Sequence, residues 1–124
     1  MSTSDERLHT ESNIWLATVR ANGKPHLTPI RFVYVEQAVW VCTGLGAVKS
    51  QNMQHDHRVS FALQDGNAPV TGEGKATLMT QTPANVHAEF QRKYDWDINR
   101  DDDHQALFCI TIDKWLSPGN DSST

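Results

Sequence analysis

The chain has 124 residues, enough for one hydrophobic core and close to the size at which a partner helps to bury surface. Lys and Arg number 11 against 15 Asp and Glu, giving a net charge of -4 and a pI near 5.8. Such a balance lacks the basic footprint that nucleic-acid backbones require, so no nucleic-acid partner is expected. No segment approaches the roughly 20 apolar residues of a membrane span, and "MSTSDERLHTESNIW" has no signal-peptide run. The expectation is a cytoplasmic protein.

In chain order, the first element is a short helix near residues 5 to 11. "NIWLATVR" (13 to 20) is rich in strand formers and runs into "ANGK", whose Asn22-Gly23 pair suits the positive φ angles of a tight hairpin. The second strand, "PHLTPIRFVYV" (25 to 35), carries Pro25 and Pro29, which cannot donate to a ladder, so part of it belongs at an edge or bulge. Residues 36 and 37 turn the chain into "AVWVCT" (38 to 43), and residues 47 to 53 read as a short helix. "HRVSFALQ" (57 to 64) and "PVTGEGKATLMT" (69 to 80) form a further hairpin around "DGNA", with Gly72 and Gly74 marking a bend or bulge.

Then the period changes. Thr82-Pro83 has the form of an N-cap and a first-turn proline, and Val86, Phe90 and Tyr94 recur every four residues along one helix face. "DWDINRDDD" (95 to 103) is a solvated acidic connector, "ALFCITIDKW" (106 to 115) a last strand, and residues 117 to 124 a polar, fraying tail. With no repeat and no long linker, residues 1 to 124 read as one domain. About six antiparallel strands in short hairpins, with one main helix after the fifth, favour a small β-barrel over a doubly wound sheet.

Lys49 is the residue whose setting suggests chemistry. It follows an apolar strand and the Gly44-x-Gly46 turn in "WVCTGLGAVKSQNM" (40 to 53). The Walker pattern fails because Val48 precedes the lysine where glycine is required, and the dinucleotide pattern fails because Lys49 occupies the third-glycine position. What is left is a strand end, a flexible turn and backbone amides at a helix start beside an ammonium group, which together form an anion site. The plain alternative is a solvated surface lysine.

Other groups are weaker candidates. Cys42 and Cys109 lie in apolar runs with no CxxC partner and read as small buried hydrophobes. His55 and His57 have no third ligand at metal spacing, no G-x-S-x-G elbow occurs, and "RDDD" (100 to 103) lacks the alternation and terminal glutamate of a calcium loop. Trp15, Trp40, Trp96 and Trp115 read as core or interface residues.

From about residue 13 to 80, "ATVRANGKPHLTPIRFVYV" followed by "VWVCTGLGAVKSQNMQHDHRVSFAL" resembles the pyridoxamine 5'-phosphate oxidase-like, flavin-binding split-barrel superfamily. The resemblance implies a split β-barrel in which the strand after the first hairpin follows the flavin ring and ribityl chain. Those positions are Thr28, Pro29, Ile30, Arg31 and Val33. The next strand would end on the cofactor at Cys42-Thr43, and Lys49, with Asn52 one turn later, would bind the phosphate. Alternation puts Thr28 and Ile30 on one face and Arg31 on the other, free either to pair with phosphate or to bridge to a neighbouring carboxylate.

The resemblance also implies a homodimer with a cofactor site at each end of the interface, the cofactor being FMN or the deazaflavin F420. Two departures narrow it. Ala47-Val48 replaces the Ser-Arg that commonly precedes the lysine, which removes two polar phosphate contacts. The basic, histidine-bearing C-terminal segment that holds vitamin B6 substrate has no match in "ALFCITIDKWLSPGNDSST", so true pyridoxamine 5'-phosphate oxidase activity is not expected. A flavin-type oxidoreductase of open substrate, a non-catalytic flavin carrier or sensor and, more remotely, a haem-binding relative are the three readings. No side chain separates the first two, because flavin hydride transfer needs no protein nucleophile.

Overall fold

A computed structural model describes residues 3 to 116; the expected tail at 117 to 124 lies outside them. In order, the elements are α1 (Ser4–Thr10), β1 (Asn13–Val19), β2 (Pro25–Arg31), β3 (Val33–Val35), β4 (Ala38–Thr43) and α2 (Val48–His55). These are followed by β5 (Arg58–Leu63), β6 (Thr71–Leu78), α3 (Ala84–Tyr94), a 3-10 turn (Ile98–Arg100) and β7 (Ala106–Leu116). All strand pairings are antiparallel, in the order β2-β1-β5-β6-β7-β4-β3. Because β2 and β3 are consecutive in the chain yet lie at opposite ends of this order, the sheet must curl until its two edges meet at Phe32. The result is a small split barrel.

The anticipated second strand at 25 to 35 thus divides at Phe32, making seven strands where six were expected and placing α3 after the sixth. β2 pairs only with β1 among the described strands, so Pro25 and Pro29 sit on a strand with one free edge, where their missing donors cost no ladder bonds. The bulge expected near Gly72 and Gly74 is a register shift between Glu73 and Gly74. A Cβ on Gly74 would stand 2.1 Å from the Thr111 carbonyl oxygen, so only glycine lets β7 approach there.

The turns reverse their expected roles. At the first hairpin Gly23 donates to the Arg20 carbonyl and Arg20 to that of Lys24, enclosing a three-residue loop in which only Gly23 has positive φ. The two-residue turn with both central φ values positive is Glu36-Gln37, at 55° and 60°. Pro83 is also displaced by one place: it caps α3 without a side-chain bond, and the helix begins at Ala84.

Two cores follow from strand alternation. Inside the barrel lie Ile14, Leu16, Ile30, Phe32, Val39, Val41, Phe61, Leu63, Phe108 and Ile110. One mouth is plugged by Leu8 of α1 and the opposite mouth by Met53 of α2. Outside, Val33, Trp40, Cys42 and Leu107 pack beneath Val86 and Phe90 of α3 and Ile98 of the 3-10 turn. The outer face of β1, β2 and β5 carries no helix and leaves Trp15 43% and Leu27 63% exposed. No helix among the described residues is long and apolar enough to cross a membrane.

Candidate cofactor site

The barrel is open along one line. The ladder between β3 and β4 ends at Val33 opposite Trp40, and β2 then diverges toward β1, leaving its outer edge and the edge of β4 from Val41 to Thr43 without strand partners on that side. Five residues after Thr43, α2 starts at the same end of the split. Its N-cap, Ala47, offers no side-chain acceptor, and among the described residues the amides of Val48, Lys49 and Ser50 find none either. Lys49, in this first turn, is half-buried and makes no ion pair among the described residues. An ammonium group beside three free amides at a helix start has the chemistry of a phosphate site.

Further polar groups line the same mouth. Buried Asn52 donates its amide to the Thr18 hydroxyl at 3.0 Å, which fixes α2 against β1. His26, directly across the ladder from Thr18, has an Nδ1 atom that is buried with no partner. His26 and Thr18 escaped the sequence reading. The alternation that pairs Thr28 with Ile30 reaches His26 two residues earlier, but its proximity to Thr18 requires the strand register. An unpartnered buried nitrogen, free helix amides and an unpaired lysine at one mouth fit an anionic cofactor.

The other expected residues divide. Thr28 lies half-buried on the inner side of β2, Pro29 faces out, and Ile30 is buried in the barrel. Thr43 is buried at the end of β4. Val33 is fully buried under α3 and presents only its backbone. The Cys42 thiol points away from the split and donates to the His104 carbonyl at 3.1 Å; burial, reinforced by Asp101, pushes it up to about 12, leaving an inert thiol. Arg31 makes no carboxylate bridge among the described residues; its guanidinium lies over Tyr94 and Trp96, 5.4 and 5.5 Å from the ring centres.

The bend at Phe32 is tightly held. The Tyr94 hydroxyl accepts from the Phe32 amide at 2.9 Å and lies 2.7 Å from the carbonyl oxygens of both Phe32 and Ser12, between which its single proton is shared. Lys93 donates to the Phe32 carbonyl at 2.9 Å with its ammonium 3.7 Å from the Phe32 ring centre. Burial pushes Lys93 down to about 8 and Tyr94 up to about 12. The acidic connector is ordered by its own pairs. Asp97 bonds His87 at 2.8 Å, while Asp101 accepts from the Trp96 indole at 2.8 Å and bonds His104 at 3.0 Å. His57 bonds the Ala76 carbonyl through Nδ1 at 3.1 Å, tying it to the sheet.

The described architecture has many counterparts among solved structures. The haem storage protein HutZ from Vibrio cholerae superposes with a TM-score of 0.78 at 19% identity, over 91% of this chain and 90% of that one. An F420 reductase gives 0.73 at 14% identity, over 94% and 98%. A haem-binding protein from Mycobacterium smegmatis gives 0.65 at 20%, over 97% of this chain and 57% of its own. At such identities the likeness establishes the fold alone. No curated protein matches the sequence. Residues 3 to 117 match the family model for pyridoxamine 5'-phosphate oxidase, and with nearly the whole chain covered, the protein belongs to that family.

Proposed function

We propose that the protein is a homodimeric FMN-binding oxidoreductase, with the cofactor's phosphate at the start of α2 and its ring along the free edge of β2. The observation that carries this reading is the uncapped first turn of α2, where Lys49 stands without an ion partner at the mouth of the barrel's split. Lys49 and the amides of Val48 to Ser50 hold the phosphate, and Thr43 adds a hydroxyl. The backbone of Thr28 to Arg31 offers donors and acceptors to the ring, Pro29 excepted as a donor. Asn52 acts through Thr18 by fixing α2. The bound flavin supplies hydride transfer; the protein binds, orients and excludes water.

The uncovered outer face, with Trp15 and Leu27 at its centre, is the surface through which a second copy closes the site. F420 also carries a phosphate and is the alternative cofactor. Haem is a further alternative: His87 is engaged through Nε2 by Asp97, but His26 keeps an unpartnered Nδ1, and His57 and His104 bond through Nδ1 only, to the Ala76 carbonyl and Asp101, which leaves each an Nε2 for a metal. The reading is tested by titrating purified protein with FMN, F420 and haemin, following flavin fluorescence and the Soret band. Saturable FMN binding at one site per chain, followed by reduction with NADPH and reoxidation by an acceptor, is the expected result. Haemin binding without flavin binding, or FMN binding without turnover, overturns it in favour of a haem protein or a carrier.

A further inference from the structure

A second cavity lies at the opposite mouth of the barrel, under α1. It is an open pocket of about 310 Å³ between α1, the start of β6 and the end of β7, at the small end of the volumes typical of small-molecule sites. Leu8, Pro69, Val70 and Leu116 form aliphatic walls, and Tyr34 and Trp115 form aromatic ones. The Tyr34 and Trp115 rings meet edge to face at 6.2 Å, and Trp115 meets Phe61 in the same way at 5.7 Å, so the indole is braced although 41% of it is exposed.

The roof is anchored on both sides. Arg7 of α1 pairs with Glu11 and donates to the carbonyls of Ala68 and Asp65 in the β5–β6 loop. From α3, Lys93 reaches the Leu8 carbonyl. Those bonds direct both cations away from the cavity, and among the described residues no Lys or Arg lines it. Its polar groups are the Asp5 carboxylate and the hydroxyls of Ser4, Tyr34 and Thr71. The Thr71 hydroxyl donates to the Leu116 carbonyl and is already engaged. One carboxylate at the rim of an apolar, aromatic-walled space sets the charge preference of the site.

We infer that this mouth binds a small molecule with a single-ring aromatic body and one ammonium group, the ring against Tyr34 and Trp115 and the ammonium beside Asp5 and Ser4. The site is independent of the cofactor reading, because it lies at the mouth plugged by Leu8 while Lys49 lies at the mouth plugged by Met53. The test uses three probes of one shape and different charge: phenethylamine, phenylethanol and phenylpropionate. Each is titrated into the full chain while the Trp115 indole N–H resonance, assigned with Trp115→Phe, is followed by NMR. Phenethylamine should shift that signal with a Kd on the order of 1 mM, the affinity expected of so few heavy atoms.

Phenylpropionate should bind about fivefold more weakly, a ratio set by a rim carboxylate in water, and Asp5→Asn should bring the two within about twofold. Unchanged circular dichroism would confirm that Asp5→Asn is folded. No saturable shift with any probe, equal affinity of all three in the parent chain, or shifts confined to the residues around Lys49 would each overturn the inference.

Discussion

The two ends of β2 treat their polar groups in opposite ways. At the Arg31–Phe32 end, the bend is held by Tyr94 and Lys93, and the Arg31 guanidinium sits 5.4 and 5.5 Å from the centres of two aromatic rings. At the Pro25–His26 end, the facing groups are an unpartnered His26 nitrogen, an uncapped helix start and Lys49 without an ion pair. Buried polar groups are ordinarily satisfied. The satisfied end holds the barrel shut, and the unsatisfied end is where, on the proposed reading, a ligand completes the bonding. Substitutions should therefore separate stability from affinity, one end at a time.

The largest effect on stability is expected from Tyr94→Phe. It leaves the Phe32 amide buried without a partner, and the cost should be about 1–3 kcal/mol in urea unfolding, with FMN affinity per folded molecule changed little. The mirror experiment is Lys49→Ala. Loss of a charge-assisted bond to phosphate should weaken FMN roughly ten- to a hundredfold in fluorescence titrations and leave the urea midpoint in place. Riboflavin, which has no phosphate, should bind both proteins alike. Equal losses for FMN and riboflavin would return Lys49 to the solvated surface.

A smaller effect is expected from pH. Burial lowers Lys93 from 10.5 to about 8, so between those values the unfolded chain holds more protons and stability rises with pH. Burial raises Cys42 from 9.0 to about 12, so above 9 the folded chain holds more protons and stability falls. Tyr94, raised from 10.0 to about 12, adds to that fall. Urea midpoints should climb from about pH 7.5, pass a maximum near pH 9 and then decline, and Lys93→Met should remove the climb. The smallest effect belongs to Lys24→Ala in the exposed first turn, which should move neither stability nor FMN affinity measurably.

How much of this was legible beforehand depended on whether a signal was local. Strand patterning gave the barrel class, and the order strand, Gly-x-Gly, lysine located Lys49, because both are written in neighbouring residues. The division of β2 from β3 was hidden, since "IRFVYV" (30 to 35) reads as continuous strand and the bend is imposed by Tyr94 and Lys93, some 60 residues away. The turns misled for a related reason. Asn22-Gly23 carries the chemistry of a two-residue turn but forms a longer loop, whereas Glu36-Gln37 adopts positive φ because Val35 and Ala38 are already paired. For Asn52 the family resemblance implies a place at the phosphate; its bond to Thr18 and the orphaned nitrogen of His26 appear only once the register is known.

The strand order also sets a timetable for the chain as it leaves the ribosome. β1 can pair with β2 as soon as the hairpin at Gly23 emerges, and β5 and β6 can join them in turn. The short β3–β4 hairpin has no such neighbour. Its only other sheet partner among the described residues is β7, which begins at Ala106, so this hairpin must wait while more than sixty further residues are synthesised. Until then Val39, Trp40 and Val41 remain uncovered. The nascent protein is at its most adhesive around the β3–β4 hairpin, and the last of the described strands to be made is the one that ends the exposure.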